Sequence, residues 1–242
     1  MSDSTHATHA GARRLHRRVC RIGLAGLLAA VVMTPGLCAD SPLTEEDARS
    51  VRPMLAAILN LRQRFDARNA ALQARIDQLD LGHFLGPSRL VSTSELQAAR
   101  ASLVSYRALL VERDRLTEDF ATEGHAILAA LPDDGLREKA LRANAEQADH
   151  RRAVRVELLK TQVDNADAME AVIDWADRHH AIVHLRGTKL AIDGQHNLDE
   201  FNALDARLDV TARRMAEAAE RAGAEQERAG NQAATLPTEV LR

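Results

Sequence analysis

Past residue 39 the apolar positions of this chain recur at helical intervals. The clearest line is Ile58, Phe65, Leu72 and Leu79, one every seven residues, with Leu55 and Ile76 beside it. A seven-residue repeat keeps one stripe of a helix turned toward a neighbour, so the line reads as a packing seam. Arg62, Arg64, Arg68 and Arg75 surround it with charge. The helix is expected to begin after Ser41-Pro42-Leu43. Thr44 would be its N-cap, and Glu45, Glu46 and Asp47 place negative charge in the first turn, where the helix dipole favours it. Pro53 lacks an N–H and would kink this helix or divide it into a short lead-in and a main segment.

Leu81-Gly82-His83-Phe84-Leu85-Gly86-Pro87-Ser88 cannot continue the helix and reads as a connection. Ser94 with Gln97 three residues on is the expected capping box of a second helix. Its seam runs Leu103, Tyr106, Leu110, Arg113, Thr117, Phe120, Ile127 and Leu131. At about 37 residues it would extend roughly 55 Å. Pro132-Asp133-Asp134-Gly135 then predicts a tight turn.

A third helix is expected from about Leu136 to near Leu185, along Leu136, Ala140, Ala143, Val154, Leu158, Met169, Val172, Ile173 and Ala176. Its apolar line thins between Gln147 and Arg152, where a break or bend is expected. Gly187 is read as its end. Lys189-Leu190-Ala191-Ile192-Asp193-Gly194 has strand character and predicts a short extended arm or half of a hairpin. Asn197 with Glu200 is read as the capping box of a last helix, with the seam Phe201, Leu204, Leu208, Met215, Ala218 and Ala222. Each stripe must be buried against another and the turns are short, which predicts antiparallel neighbours. The expected fold is all-α: an elongated three- to four-helix antiparallel bundle of long helices with an irregular or hairpin-like insert near 187–197. Its domain would span residues 40–228, followed by a disordered tail over 229–242.

The first 39 residues read as a leader. Arg13, Arg14, Arg17, Arg18 and Arg21 form a positive region, Ile22 to Met33 is uncharged and apolar, and Leu37-Cys38-Ala39 ends in a small residue. That order is the pattern of an export signal, with cleavage expected after Ala39. The alternative is a retained membrane anchor, but Ile22 to Ala39 is marginal for spanning a bilayer and Pro35-Gly36 interrupts its end. Cys38 is the candidate for lipidation, although bulky Leu37 stands where an acylation signal wants a small residue. Cys20 lies among the arginines. With both cysteines in the leader, the expected mature chain has neither a disulfide nor a thiolate, and packing alone must hold it.

Processing would also change the charge. The whole chain has 32 Lys+Arg against 35 Asp+Glu. Removing five Arg and one Asp leaves 27 against 34, a net of −7. A mixed, mildly acidic surface disfavours nonspecific attraction to DNA or anionic lipid. The six aromatics, Phe65, Phe84, Tyr106, Phe120, Trp175 and Phe201, are scattered and build no stacking platform. Nucleic acid is therefore not an expected partner.

Candidate chemistry concentrates in one place. His179, His180 and His184 follow Asp177 closely, and His196 lies beyond the insert. On a helix, Asp177, His180 and His184 share a face, and a carboxylate with two imidazoles at that spacing would hold zinc with an open position. Ala181 stands where a zincin places its glutamate, so no general base accompanies the pair. The plainer reading is a set of exposed histidines near a helix C-terminus, where their cationic form suits the dipole. Asp164, Asp167 and Asp174 read as a solvated face, and Ser92, Ser94, Ser102 and Ser105 lack a nucleophile-elbow glycine pattern. Trp175 reads as a core anchor. No glycine-rich phosphate loop occurs, and no cofactor is expected.

Two motifs carry a resemblance. One is Leu43-Thr44-Glu45-Glu46 followed by Pro53 and a long helix; the other is Ile192 preceding Glu200-Phe201-Asn202-Ala203-Leu204. In these the chain resembles an uncharacterised family of proteobacterial envelope lipoproteins, a domain of unknown function, over residues 43 to 212. The resemblance implies an envelope location and supplies no catalytic residues; the residues before Cys38 depart from it. The leading expectation is a non-enzymatic periplasmic or cell-envelope protein, a scaffold, adaptor or partner-binding module. It would bind a protein partner through its helix faces, self-associate, or be tethered to the membrane at its N-terminus. The alternatives are a metal-binding protein or metal-dependent hydrolase using His180 and His184, and a periplasmic holdase chaperone.

Overall fold

A computed structural model describes residues 45–83 and 85–234 of the chain. The residues expected to form a leader, Cys38, the expected Thr44 cap, Phe84 and residues 235–242 lie outside the described residues. The described chain is an all-α bundle of long helices with one small hairpin. Helix α1 spans Glu45–Gln78, a 3-10 turn covers Leu81–His83, and α2 is the short Pro87–Leu90. Helices α3 (Thr93–Ala129) and α4 (Asp134–Arg178) follow. Strands β1 (Val183–Arg186) and β2 (Lys189–Ile192) pair antiparallel, and α5 runs Gln195–Ala234. No helix among the described residues is long and apolar enough to cross a membrane.

The helix starts are set by local hydrogen bonding. Ser92 caps α3: its carbonyl accepts the Leu96 N–H at 2.9 Å, and its hydroxyl lies 3.5 Å from the Glu95 nitrogen. The cap is therefore Ser92, two residues ahead of the expected Ser94, and the box is not closed: the Ser92 N–H donates to the Arg89 carbonyl, and the Glu95 carboxylate pairs with Arg89 at 3.6 Å. Asp133 caps α4, with Oδ1 accepting the Leu136 N–H at 2.7 Å and its carbonyl the Arg137 N–H at 2.9 Å. The turn expected over Pro132 to Gly135 is thus partly the first turn of α4. Gly194, at φ +87°, precedes α5, and its carbonyl accepts the Leu198 N–H at 3.1 Å. Asn197, expected to be that cap, lies inside the helix and donates its amide to the Asp193 carbonyl at 2.8 Å.

The chain gathers into two compact units. One comprises Ala74–Leu110 and Leu158–Ala218; the other comprises Val111–Glu157 with residues 45–73 and 219–234. In the second unit Val51, Met54 and Ile58 of α1 pack with Leu128, Leu131 and Ala140. Leu61 and Phe65 pack with Phe120, the two rings tilted at 4.7 Å. Residue numbers on α3 rise as those on α1 fall, so the pair is antiparallel. Arg155 of α4 reaches back to Asp114 at 3.3 Å and Glu118 at 2.9 Å, and Arg221 of α5 donates to Glu157 at 2.7 Å. Four helices therefore meet in this unit.

In the first unit α3, α4 and α5 supply the core, with the buried Leu96, Leu103, Tyr106, Leu110, Met169, Val172, Ile173 and Phe201. The register here is again antiparallel. Arg100 pairs with Asp174 and Asp177, whereas Arg107 pairs with Asp167 and Glu170. A polar contact lies inside this core: Thr211 Oγ1 is 3.2 Å from Asn165 Oδ1, both side chains buried. Helix α2 packs against both strands, with Leu90 fully enclosed.

Several expectations change. Pro53 does not divide α1; near the start of a long helix it removes one backbone bond, and the buried Met54 and Ile58 carry the helix through. Helix α4 does not break between Gln147 and Arg152. There Arg151 donates to Gln147 Oε1 at 3.0 Å and Asn144 Oδ1 at 2.8 Å, and its burial lowers the guanidinium pKa. The helix ends at Arg178, short of the expected Leu185, because Ile182 and Val183 begin a hairpin. Gly187 is accordingly a turn residue and not a helix stop. Its φ of +64° precedes a Thr188 without positive φ, the pattern of a type II′ two-residue turn. Helix α5 continues past 228 to Ala234.

Candidate functional site

The end of α4, the hairpin and the start of α5 bring the candidate residues into one region of the first unit. Trp175 and Phe201 are buried there with ring centroids 5.2 Å apart. The indole Nε1–H of Trp175 donates to Glu200 Oε2 at 3.1 Å, and His196 Nε2 lies 3.3 Å from Glu200 Oε1. The His179 ring stacks on Trp175 with centroids 4.5 Å apart and planes 19° apart. The Glu200 carboxyl pKa is held below its ordinary value. The Trp175 hydrogen bond is the main cause, desolvation opposes it, and the positive fields of His196, His179 and Arg178 add to it. An acid so held stays ionised and accepts hydrogen bonds, and it makes a poor proton donor at neutral pH.

Asp177, His180 and His184 do not converge. The expected shared helix face requires all three on α4, but α4 stops at Arg178 and His184 stands on β1. Asp177 Oδ2 accepts from Arg100 Nη1 at 2.9 Å. His180 Nδ1 is 3.1 Å from the Asp177 carbonyl, an acceptor, so that nitrogen carries a proton. His184 Nε2 is 3.1 Å from Asp193 Oδ2, just beyond the hairpin's far strand. Among the described residues no three His, Cys, Asp or Glu side chains are grouped to hold a metal ion.

Two arginines missing from the sequence reading organise this unit. Arg100 Nε and Nη2 both bond Asp174 Oδ1, at 3.0 and 2.8 Å, while Nη1 takes Asp177. One turn-pair further, Arg107 Nη2 bonds Asp167 Oδ1 at 2.6 Å and Glu170 Oε2 at 2.7 Å. Hydrogen bonding to these carboxylates raises both guanidinium pKa values, led by Asp174 for Arg100 and Glu170 for Arg107. The signal was present as matched spacings. Arg100 and Arg107 are seven apart, and so are Asp167 and Asp174, and Glu170 and Asp177. Asp167 and Asp174 therefore serve a helix–helix brace while about half of each side chain stays in solvent, at 50% and 49% exposure. Ser105 also turns inward chemically, donating its hydroxyl to the Ala101 carbonyl at 3.0 Å.

The same stretch of α3 has an outer stripe. Leu96, Ala99, Leu103 and Tyr106 point into the core, while Ala101, Val104 and Ala108 are exposed, with Val104 at 64% the most exposed large apolar side chain among those described. Spacings of three and four residues put these three on one face. The stripe offers apolar contact with no reactive group. No protein-family model matches the chain, and neither a curated protein nor a solved structure matches it.

Proposed function

We propose that this chain is a non-enzymatic protein of the bacterial cell envelope, exported by its leader, that works as a helical scaffold or adaptor. Its partner is another protein, engaged through a helix face. The resemblance to the envelope lipoprotein family and the leader pattern support the location. The observation that carries the binding role is Val104: its neighbours Leu103 and Tyr106 complete the core, and it remains exposed on a face with Ala101 and Ala108. A lone surface valine is ordinary, but a stripe repeating at helical spacing suits a partner helix.

The ionisable residues fit the same reading. The carboxylates nearest the histidines are engaged: Asp174 and Asp177 by Arg100, Asp193 by His184, and Glu200 by Trp175 and His196. They act as ties between side chains that hold the elements in place. A photocrosslinking amino acid placed at position 104 in living cells tests the role. A discrete crosslinked species is expected there and not from the exposed Asn202 on α5. Equal crosslinking from both positions would remove the case for an α3 binding face.

A further inference from the structure

We draw no further inference here: the strongest candidate, the outer stripe of α3 through Ala101, Val104 and Ala108, belongs to the binding face already proposed, and nothing in the structure shows what covers it.

Discussion

Trp175 and Glu200 are joined by an indole-to-carboxylate hydrogen bond of 3.1 Å that closes a loop of the chain containing the whole β-hairpin. The bond ties the end of α4 to the first turns of α5, and the buried Phe201 ring backs it. Glu200 has its pKa lowered in the fold, so its contribution is fully present above the unfolded glutamate value, about 4.3. It is lost as pH falls from there through the depressed folded value. The expected outcome is a urea midpoint, followed by the emission of the single tryptophan, that drops on acidification below about pH 4.3. In Glu200→Gln that part of the drop is missing. Matching pH profiles for the two proteins would show that the carboxylate charge contributes nothing.

Arg100 and Asp174 are partly exposed, so their pairing is screened and its worth is modest. A double-mutant cycle with Arg100→Gln and Asp174→Asn is expected to give a coupling of about 0.2–1 kcal/mol, shrinking as salt is raised. A coupling above about 3 kcal/mol, of the size seen when buried pairs are broken, would contradict the exposure described.

Thr211 and Asn165 are a different case because both side chains are buried. The Thr211 hydroxyl lies within reach of Asn165 Oδ1 and, at 3.0 Å, of the Leu208 carbonyl, and shares its one proton between them. Thr211→Val keeps the shape and leaves Asn165 Oδ1 without this donor, at an expected cost of about 1–3 kcal/mol in equilibrium unfolding. Adding Asn165→Leu is expected to recover part of that loss. A neutral single substitution would show that water reaches the amide.

Gly194 tests the backbone. Its φ of +87° lies in the region that L side chains rarely adopt, and an added Cβ would sit 3.1 Å from Asn197 Nδ2. Gly194→Ala is expected to destabilise the protein by about 1–2 kcal/mol. The loss should appear as faster hydrogen exchange in β2 and the first turn of α5. Unchanged exchange there would mean that the turn adopts another conformation at little cost.

The helices were legible because each carries enough apolar repeats for periodicity to outweigh local noise. Ile58, Phe65 and Leu72 are buried as their spacing requires, and so are Leu103, Tyr106 and Leu110. The boundaries were less legible. Ser92 and Ser94 both precede an acid or amide at capping distance, and only the backbone bonds choose between them. The hairpin was half hidden because Ile182 and Val183 follow the helical line of Ile173 and Ala176 without an intervening breaker. That ambiguity produced the metal-site expectation: once His184 passes from helix to strand, its spacing from His180 no longer implies a shared face. The Arg100 and Arg107 braces were readable in principle, but only after α3 had been set antiparallel to α4.

The central claim is that α3 presents two faces with different duties, an inner one that holds the fold and an outer one that binds. Leu103 and Val104 are neighbours in the chain, and one is buried where the other is exposed. Introducing aspartate at each position and measuring both unfolding and crosslinking separates the duties directly. Leu103→Asp is expected to unfold the protein or cost more than about 3 kcal/mol, as a charge forced into a packed core does. Val104→Asp is expected to stay within about 0.5 kcal/mol of the parent, the range usual for surface changes, while abolishing the crosslinked species formed through neighbouring Ala101. A Val104→Asp protein that unfolds, or that keeps its partner undiminished, would contradict the account.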